Sequence, residues 1–92
     1  MMPKVEIYTK NWCPYSTRAK SHLDFKSLFY EEIDVTTDTV REMEMVKRSG
    51  RHTVPQIFIN DQHLGGHDDL LAAEASGRLD YLLNDREQGE AA

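Results

Sequence analysis

Hydrophobic and polar positions alternate at the start of the chain. Residues 4–9 carry β-branched side chains at every second position, which is typical of a strand. Residues 15–26 contain no helix breaker and follow Pro14, which the first position of a helix tolerates because its missing N–H needs no partner there. The pattern predicts a strand followed by a helix. The side chains expected on one buried face of that helix are Tyr15, Ala19 and Leu23.

A second strand and a second helix follow in the same order. Residues 30–35 have the composition of a strand, and residues 36–38 offer side-chain oxygens that can cap the next helix. Gly50 is placed to end this helix, because glycine readily adopts the left-handed conformation of a helix end. The side chains expected to form the inner stripe of the helix are Val40, Met43, Val46 and Lys47.

Two short strands and a third helix complete the pattern. Residues 56–59 are apolar, and residues 62–64 form a shorter run after an Asn-Asp pair. Such a pair tolerates positive φ and suits a hairpin turn. Asp68 and Asp69 can begin a third helix, which Gly77 ends. The apolar side chains of this helix and of a last turn or short helix are Leu70, Leu71, Ala75, Leu79, Leu82 and Leu83.

The element order β-α-β-α-β-β-α predicts the fold class. Two strands joined by a crossover helix run parallel, and a hairpin adds antiparallel strands. We therefore expect an α/β fold with a mixed four-stranded sheet flanked by helices. A chain of 92 residues can bury one core but not two. We expect residues 1–84 to form one domain and residues 85–92 to form a polar, frayed tail.

Composition and charge narrow the classes of function. A net charge of -5 argues against general binding to nucleic acid or to anionic membranes, both of which need a cationic surface. No apolar run is long enough for a membrane span or a signal peptide. A single cysteine excludes an intramolecular disulfide and favours a reducing, cytoplasmic setting. The histidines show no metal-ligand spacing, so we predict no metal site.

The single cysteine, Cys13, lies in the segment KNWCPYS between the first strand and the first helix. Open α/β sheets bind ligands at this end of their strands, and a helix N-terminus favours a thiolate. Lys10 adds a positive charge nearby. A lowered pKa makes Cys13 a better leaving group from a disulfide, so this residue suits the formation and release of a mixed disulfide. The alternative is that Cys13 is an inert, buried side chain.

Two further segments could bind a peptide-like ligand. In TVPQIFI, a cis Val54-Pro55 bond would turn out the backbone of Val54 to pair with an extended ligand, although Pro55 could also only fix a loop. In GGHDD, glycines allow close approach and a helix start can bind a carboxylate. Asp68 could accept from a ligand ammonium group, or Asp68 and Asp69 could only cap the helix. The zwitterionic end of an amino acid fits both groups.

These three segments, in this order and at this spacing, resemble the glutaredoxins, most closely the small bacterial dithiol type, over residues 4–83. The resemblance implies a thioredoxin fold, a cis proline, and glutathione as a substrate that acts like a cofactor. It implies that Cys13 is the nucleophile and that Arg41 or Arg51 assists at the glycine carboxylate. The glutathione-binding residues that it implies are Lys10, Cys13, Tyr15, Thr53, Val54, Pro55, Gly66, His67 and Asp68.

Two positions depart from the family pattern. Ser16 stands at the position of the resolving cysteine, and His67 stands where many members have cysteine or a small residue; we expect His67 to act through its backbone N–H. Without the second thiol we expect a monothiol route, in which Cys13 takes glutathione from a glutathionylated protein and a second glutathione releases it. Dithiol reduction of protein disulfides would follow only if Ser16 replaces a native cysteine.

Two other functions stay open from the sequence. One is an iron–sulfur carrier, in which two protomers hold a [2Fe–2S] cluster through Cys13 and two glutathiones; Pro14 argues against it because it stiffens the loop. The other is an adaptor of thioredoxin fold with an inert thiol. For the leading hypothesis, the expected partners are glutathione and glutathionylated or disulfide-bonded proteins, and the expected state is a monomer.

Overall fold

The computed structural model describes residues 3–84. Within this range the elements follow the predicted order, and the last predicted turn is a short helix. They are β1 (Val5–Thr9), α1 (Pro14–Phe25), β2 (Glu31–Asp34), α2 (Thr39–Ser49), β3 (Gln56–Ile59), β4 (Gln62–Gly65), α3 (His67–Ser76) and α4 (Arg78–Leu83). None of these helices is both long enough and apolar enough to cross a membrane. The predicted tail, residues 85–92, lies outside the described residues.

The strands form one mixed sheet in the order β2-β1-β3-β4. β1 pairs parallel with β2, so that Tyr8 lies opposite Ile33, and it pairs antiparallel with β3. β3 and β4 form the predicted hairpin. Its turn residues, Asn60 and Asp61, both have positive φ, as their sequence indicated. The predicted mixed four-stranded sheet is confirmed.

The central strand β1 is covered on both faces. All five of its residues are buried, so the alternation that identified the strand does not describe its burial. Val5 and Ile7 belong to the larger core cluster, which includes Leu70 of α3. Tyr8 belongs to a smaller cluster with Met45 of α2. Helices therefore pack on both faces of β1: α1 and α3 on one face, and α2 on the other.

The predicted buried face of α1 is correct at two positions and wrong at the third. Ala19 and Leu23 are fully buried, but Tyr15 is 52% exposed. The Tyr15 ring centroid lies 5.8 Å from that of His67. Tyr15 therefore contributes to the molecular surface near the end of β1 and not to the core.

The predicted inner stripe of α2 is also wrong. Three of its four members are exposed: Val40, Met43 and Lys47. The fully buried residue is Met45, and the Arg48 guanidinium carbon lies 4.0 Å from the centre of the Phe58 ring. A stripe counted from apolar residues misses this face, because an arginine supplies part of the packing through its contact with an aromatic ring.

The helix ends agree with the sequence. The Asp38 side chain accepts a backbone N–H of the first turn of α2 at 3.0 Å, and the left-handed Gly50 (φ 73°) ends that helix. α3 begins at His67, one residue before the predicted start, and Gly77 ends it. The fully or nearly buried side chains of α3 and α4 are Leu70, Ala73, Leu79 and Leu82.

Candidate active site

The thiol lies at the junction of β1 and α1. Cys13 is the N-cap of α1, and Pro14 is its first helical residue. The Thr17 N–H donates to the Cys13 carbonyl at 3.2 Å, which closes the first helical turn. Trp12, directly before the thiol, has φ of 69° and is exposed. The predicted placement of the cysteine at a helix N-terminus is confirmed.

The pKa of the Cys13 thiol reflects burial and local hydrogen bonding. Burial raises this pKa, but the Ser16 hydroxyl and the backbone N–H groups of Ser16 and Tyr15 outweigh that effect, so the pKa is lowered. Lys10, which we expected to supply positive charge, has its ammonium 2.7 Å from the carboxylate of Glu42. The donors that stabilise the thiolate therefore come from the first turn of α1.

Ser16 is part of the interior of the site. Ser16 is 1% exposed. Among the described residues, its hydroxyl has no partner with standard hydrogen-bond geometry. A buried hydroxyl without a partner is unfavourable, and a hydrogen bond to a charged group is stronger than one to a neutral group. Ionisation of Cys13 gives the Ser16 hydroxyl an anionic acceptor, which explains why Ser16 lowers the thiol pKa.

The loop before β3 lies against the thiol. The Val54-Pro55 peptide bond is cis, as the resemblance implied. The Cys13 S–H donates to the Val54 carbonyl at 3.7 Å. This contact joins the start of α1 to a segment 41 residues later in the chain, so that two of the three motifs of the sequence meet at one place.

A groove of about 220 Å³ begins beside this contact. Its lining residues are Tyr15, Arg51, Thr53, Val54, Pro55, Gln56, Gly66, His67, Asp68 and Asp69. The groove thus combines seven of the predicted binding residues. Cys13 is joined to it through Val54, whereas Lys10 does not line it. Arg51 lines the groove, but Arg41 lies in another cavity with Lys4 and Glu6.

Asp69 caps the start of α3, a role that the sequence allowed, but its contact with Arg51 was not predicted. Its carboxylate oxygen Oδ2 accepts the Gly66 N–H at 2.9 Å and an Arg51 N–H at 2.9 Å. Arg51 and then the Gly66 N–H lower the pKa of Asp69. A Cβ on Gly65 would lie 2.2 Å from the same oxygen. Gly65 therefore makes room for Asp69, and not for a ligand as we expected. The available signal was the position of Asp69 three residues after Gly66, from which an acidic side chain can reach back to the N-cap N–H.

His67 presents its ring as well as its backbone to the groove. The ring packs against Tyr15, and Nδ1 lies 3.5 Å from a carboxylate oxygen of Asp68. Nδ1 is buried and makes no hydrogen bond within the described part of the chain. We had expected only the backbone N–H of His67 to matter. In the same range of residues, no three His, Cys, Asp or Glu side chains are grouped to hold a metal ion.

The family model for glutaredoxins matches residues 5–64 of the chain. The chain belongs to the glutaredoxin family. Glutaredoxin 3 of Escherichia coli K12 is 54% identical over 82 residues, which are 89% of this chain and 99% of the relative. A glutaredoxin of Pseudomonas aeruginosa is 46% identical over 83 residues, 90% of this chain and 99% of the relative.

Solved structures of other glutaredoxins have the same fold. The solution structure of a Brucella melitensis glutaredoxin is 50% identical, with a TM-score of 0.78 and 89% of each chain covered. The crystal structure of a buckwheat glutaredoxin-glutathione complex is 24% identical, with a TM-score of 0.82, and covers 90% of this chain and 78% of that chain. The thioredoxin fold is confirmed, and family membership makes this glutaredoxin a thiol-disulfide oxidoreductase.

Proposed function

We propose that this glutaredoxin reduces glutathione mixed disulfides of proteins by a monothiol mechanism through Cys13. The observation that carries the proposal is the contact of the Cys13 thiol, whose pKa is lowered, with Val54 at the head of the groove. A thiol of lowered pKa thereby lies next to a groove of about 220 Å³. The buckwheat relative was solved as a complex with glutathione, which supports the choice of ligand.

The chemistry of the groove suits the two ends of glutathione. The N–H of Gly66 donates to Asp69, so the first-turn N–H groups of His67 and Asp68 are the donors available to the carboxylate of the γ-glutamyl end. The exposed carboxylate of Asp68 suits the ammonium group of that end. Thr53 and Val54 would pair with the ligand backbone in the manner of an added strand.

The reaction consists of two thiol-disulfide exchanges. The Cys13 thiolate attacks the glutathione sulfur of the mixed disulfide, a Cys13–glutathione disulfide forms, and the protein leaves as a thiolate that takes up a proton. The thiolate of a second glutathione then attacks the sulfur of the bound glutathione. Glutathione disulfide forms and Cys13 leaves as a thiolate. The net reaction exchanges one disulfide for another. The protein sulfur returns to the thiol state, and the sulfur of the second glutathione is oxidised in its place, so no further reductant is needed.

Ser16 determines how this cycle ends. A hydroxyl cannot attack the Cys13–glutathione disulfide, so the intermediate persists until the second glutathione arrives. The lowered pKa of Cys13 favours this step, because a thiol of low pKa is a better leaving group. Binding at Lys10, the [2Fe–2S] alternative, the cytoplasmic location and the monomeric state stay predictions.

The test is the rate of glutathione release from a glutathionylated peptide, with reduced glutathione as the co-substrate. The wild-type protein is expected to turn over, and Cys13→Ser is expected to fall to the uncatalysed rate because the attacking sulfur is missing. Ser21→Ala, at an exposed position of α1, is the control and is expected to behave as wild type. Equal rates for wild type and Cys13→Ser would contradict the proposal.

A further inference from the structure

Gln56, the first residue of β3, is a polar side chain in an apolar strand. It is 1% exposed and lines the groove. Its amide nitrogen donates to the Thr53 carbonyl at 3.0 Å and to the Thr53 hydroxyl oxygen at 3.2 Å. Because a backbone carbonyl only accepts hydrogen bonds, the NH₂ group of Gln56 must face Thr53. The amide oxygen of Gln56 therefore faces away from the loop.

His63 of β4 meets that amide oxygen. Its Nε2 lies 2.7 Å from Gln56 Oε1, and its ring packs against Phe58 with centroids 5.1 Å apart. Since Oε1 only accepts, Nε2 must carry the proton. Burial, and then the positive charge of Arg51, lower the pKa of His63, so the ring is neutral near pH 7. The direction of each hydrogen bond from His63 to Thr53 is thus fixed.

We propose that His63 and Gln56 are positioning residues, which hold the Thr53-Val54 segment in the conformation that pairs with the backbone of glutathione. His63 acts through Gln56 and has no need to touch the ligand itself. The inference rests on the proposed function and adds to it the residues that shape the binding wall.

Because Thr53 is exposed, it depends on hydrogen bonds rather than on packing for a fixed conformation. Val54 is partly buried against the smaller core cluster, but Thr53 is exposed, so packing does not hold the Thr53 side of the loop. Gln56 binds both oxygens of Thr53. The Thr53 hydroxyl oxygen accepts from Gln56, so its own proton is free to donate into the groove. A binding segment ordered before the ligand arrives loses less conformational entropy on binding.

The experiment compares KM and kcat for the glutathionylated peptide among matched variants. His63→Phe keeps a ring against Phe58 and removes the donor, whereas Gln56→Met keeps the volume and removes the amide. Loss of one hydrogen bond corresponds to a rise in KM of roughly two- to tenfold, with kcat at saturation unchanged because the thiol and its donors are untouched. The double variant should show no more than the larger single effect, since both changes break one chain.

Two further variants separate positioning from stability. His63→Gln retains an N–H donor and is expected to restore most of the wild-type KM. His22→Phe removes a hydrogen bond of 2.8 Å to Glu74 away from the groove, and its KM is expected to equal that of wild type. A wild-type KM in both His63→Phe and Gln56→Met, in folded and active proteins, would overturn the inference.

Failure of the proposed function gives a different result, namely no turnover by wild type. In that case, the Cys13→Ser protein is titrated with oxidised glutathione, and the backbone amide NMR signals of Thr53 and Val54 are followed. The same titration is made with the Cys13→Ser/His63→Phe double variant. If the signals of Thr53 and Val54 shift only at a several-fold higher concentration of oxidised glutathione in the double variant, the positioning role is still supported. No shift at either residue, or equal titrations in the two proteins, would overturn it.

Discussion

The family resemblance predicts that Ser16 occupies the position of a second thiol. In the structure, its hydroxyl lowers the pKa of the Cys13 thiol. The sequence placed Cys13 at a helix N-terminus correctly, because the strand, Pro14 and the following helix are local signals. The sequence does not reveal the role of Ser16, because the pattern shows neither that its side chain is buried nor that its hydroxyl interacts with the thiol. The sequence likewise does not predict the ion pair of Lys10 with Glu42 of α2, because this pair depends on how two elements pack.

At this scale we predict that Ser16→Ala raises the pKa of the Cys13 thiol, because the thiolate loses a donor while the burial that disfavours it stays. A reactive thiolate is present above the thiol pKa, so the alkylation of the variant should begin at higher pH. At pH 6 its alkylation by iodoacetamide should be roughly three- to tenfold slower. One hydrogen bond to a charged group changes the thiolate population by roughly ten- to a hundredfold, and the stronger nucleophilicity of the less acidic thiolate offsets about half of this effect on a logarithmic scale.

The pH dependence of the alkylation rate measures this directly. Ser21→Ala, on an exposed face of the same helix, is the matched control and should retain the wild-type profile. Coinciding profiles for wild type and Ser16→Ala would show that the hydroxyl does not stabilise the thiolate.

At the scale of elements, the start of α3 connects the fold to the groove. Asp69 joins the first turn of α3 to Arg51 after α2, and Gly65 leaves room for it. The sequence identified the helix ends because glycine and cap residues act locally. It placed the inner stripe of α2 wrongly, because the phase of that helix is set by Met45 and by Arg48 over Phe58, a contact between distant segments.

We predict that Asp69→Ala lowers the free energy of unfolding by about 1 kcal/mol, the typical cost of losing a capping side chain. The ion pair with Arg51 adds little, because both side chains are nearly half exposed. Denaturant unfolding measures the change. Asp68→Ala is the control in the same turn, where an exposed carboxylate contributes only a few tenths of a kcal/mol through the helix dipole.

The loss of stability caused by Asp69→Ala depends on pH. The pKa of Asp69 is lowered in the folded protein, so its contribution is fully present above the unfolded value near ~4. It is lost as the pH falls through the folded pKa. The difference in stability between wild type and Asp69→Ala should therefore shrink below about pH 4, and a constant difference down to pH 2 would contradict the assignment.

For the whole molecule, the topology follows from the order of the elements, but the connection between layers does not. Arg48 of α2 donates to the Glu6 carboxylate at 3.0 Å and to the Tyr8 hydroxyl at 2.8 Å, and Tyr8 donates to Glu44. Glu6 is buried in the central strand. A sequence pattern treats such charged residues as solvated, so a partly buried charge network is visible only once the layers are assembled.

We predict that Arg48→Met lowers the free energy of unfolding by about 2 to 3 kcal/mol, because it leaves the buried Glu6 carboxylate without its main partner. The expected loss is smaller than the cost of breaking a fully buried ion pair, since a quarter of the Arg48 side chain is exposed. Adding Glu6→Gln should recover part of the loss. Chemical denaturation measures the free energy of unfolding of both variants. Lys47→Met, at an exposed neighbouring position, is the control. If the effects of Arg48→Met and Glu6→Gln simply add in the double variant, the two side chains are not coupled.

The most direct measurement for the molecule as a whole is intact mass after exposure to oxidised glutathione and then to reduced glutathione. We predict the addition of one glutathione to wild type and none to Cys13→Ser, followed by complete removal when reduced glutathione is added. That result would establish the reactive thiol, its partner and the release step in one experiment. A wild-type protein that gains no glutathione, or that retains it in excess reduced glutathione, would contradict the monothiol cycle.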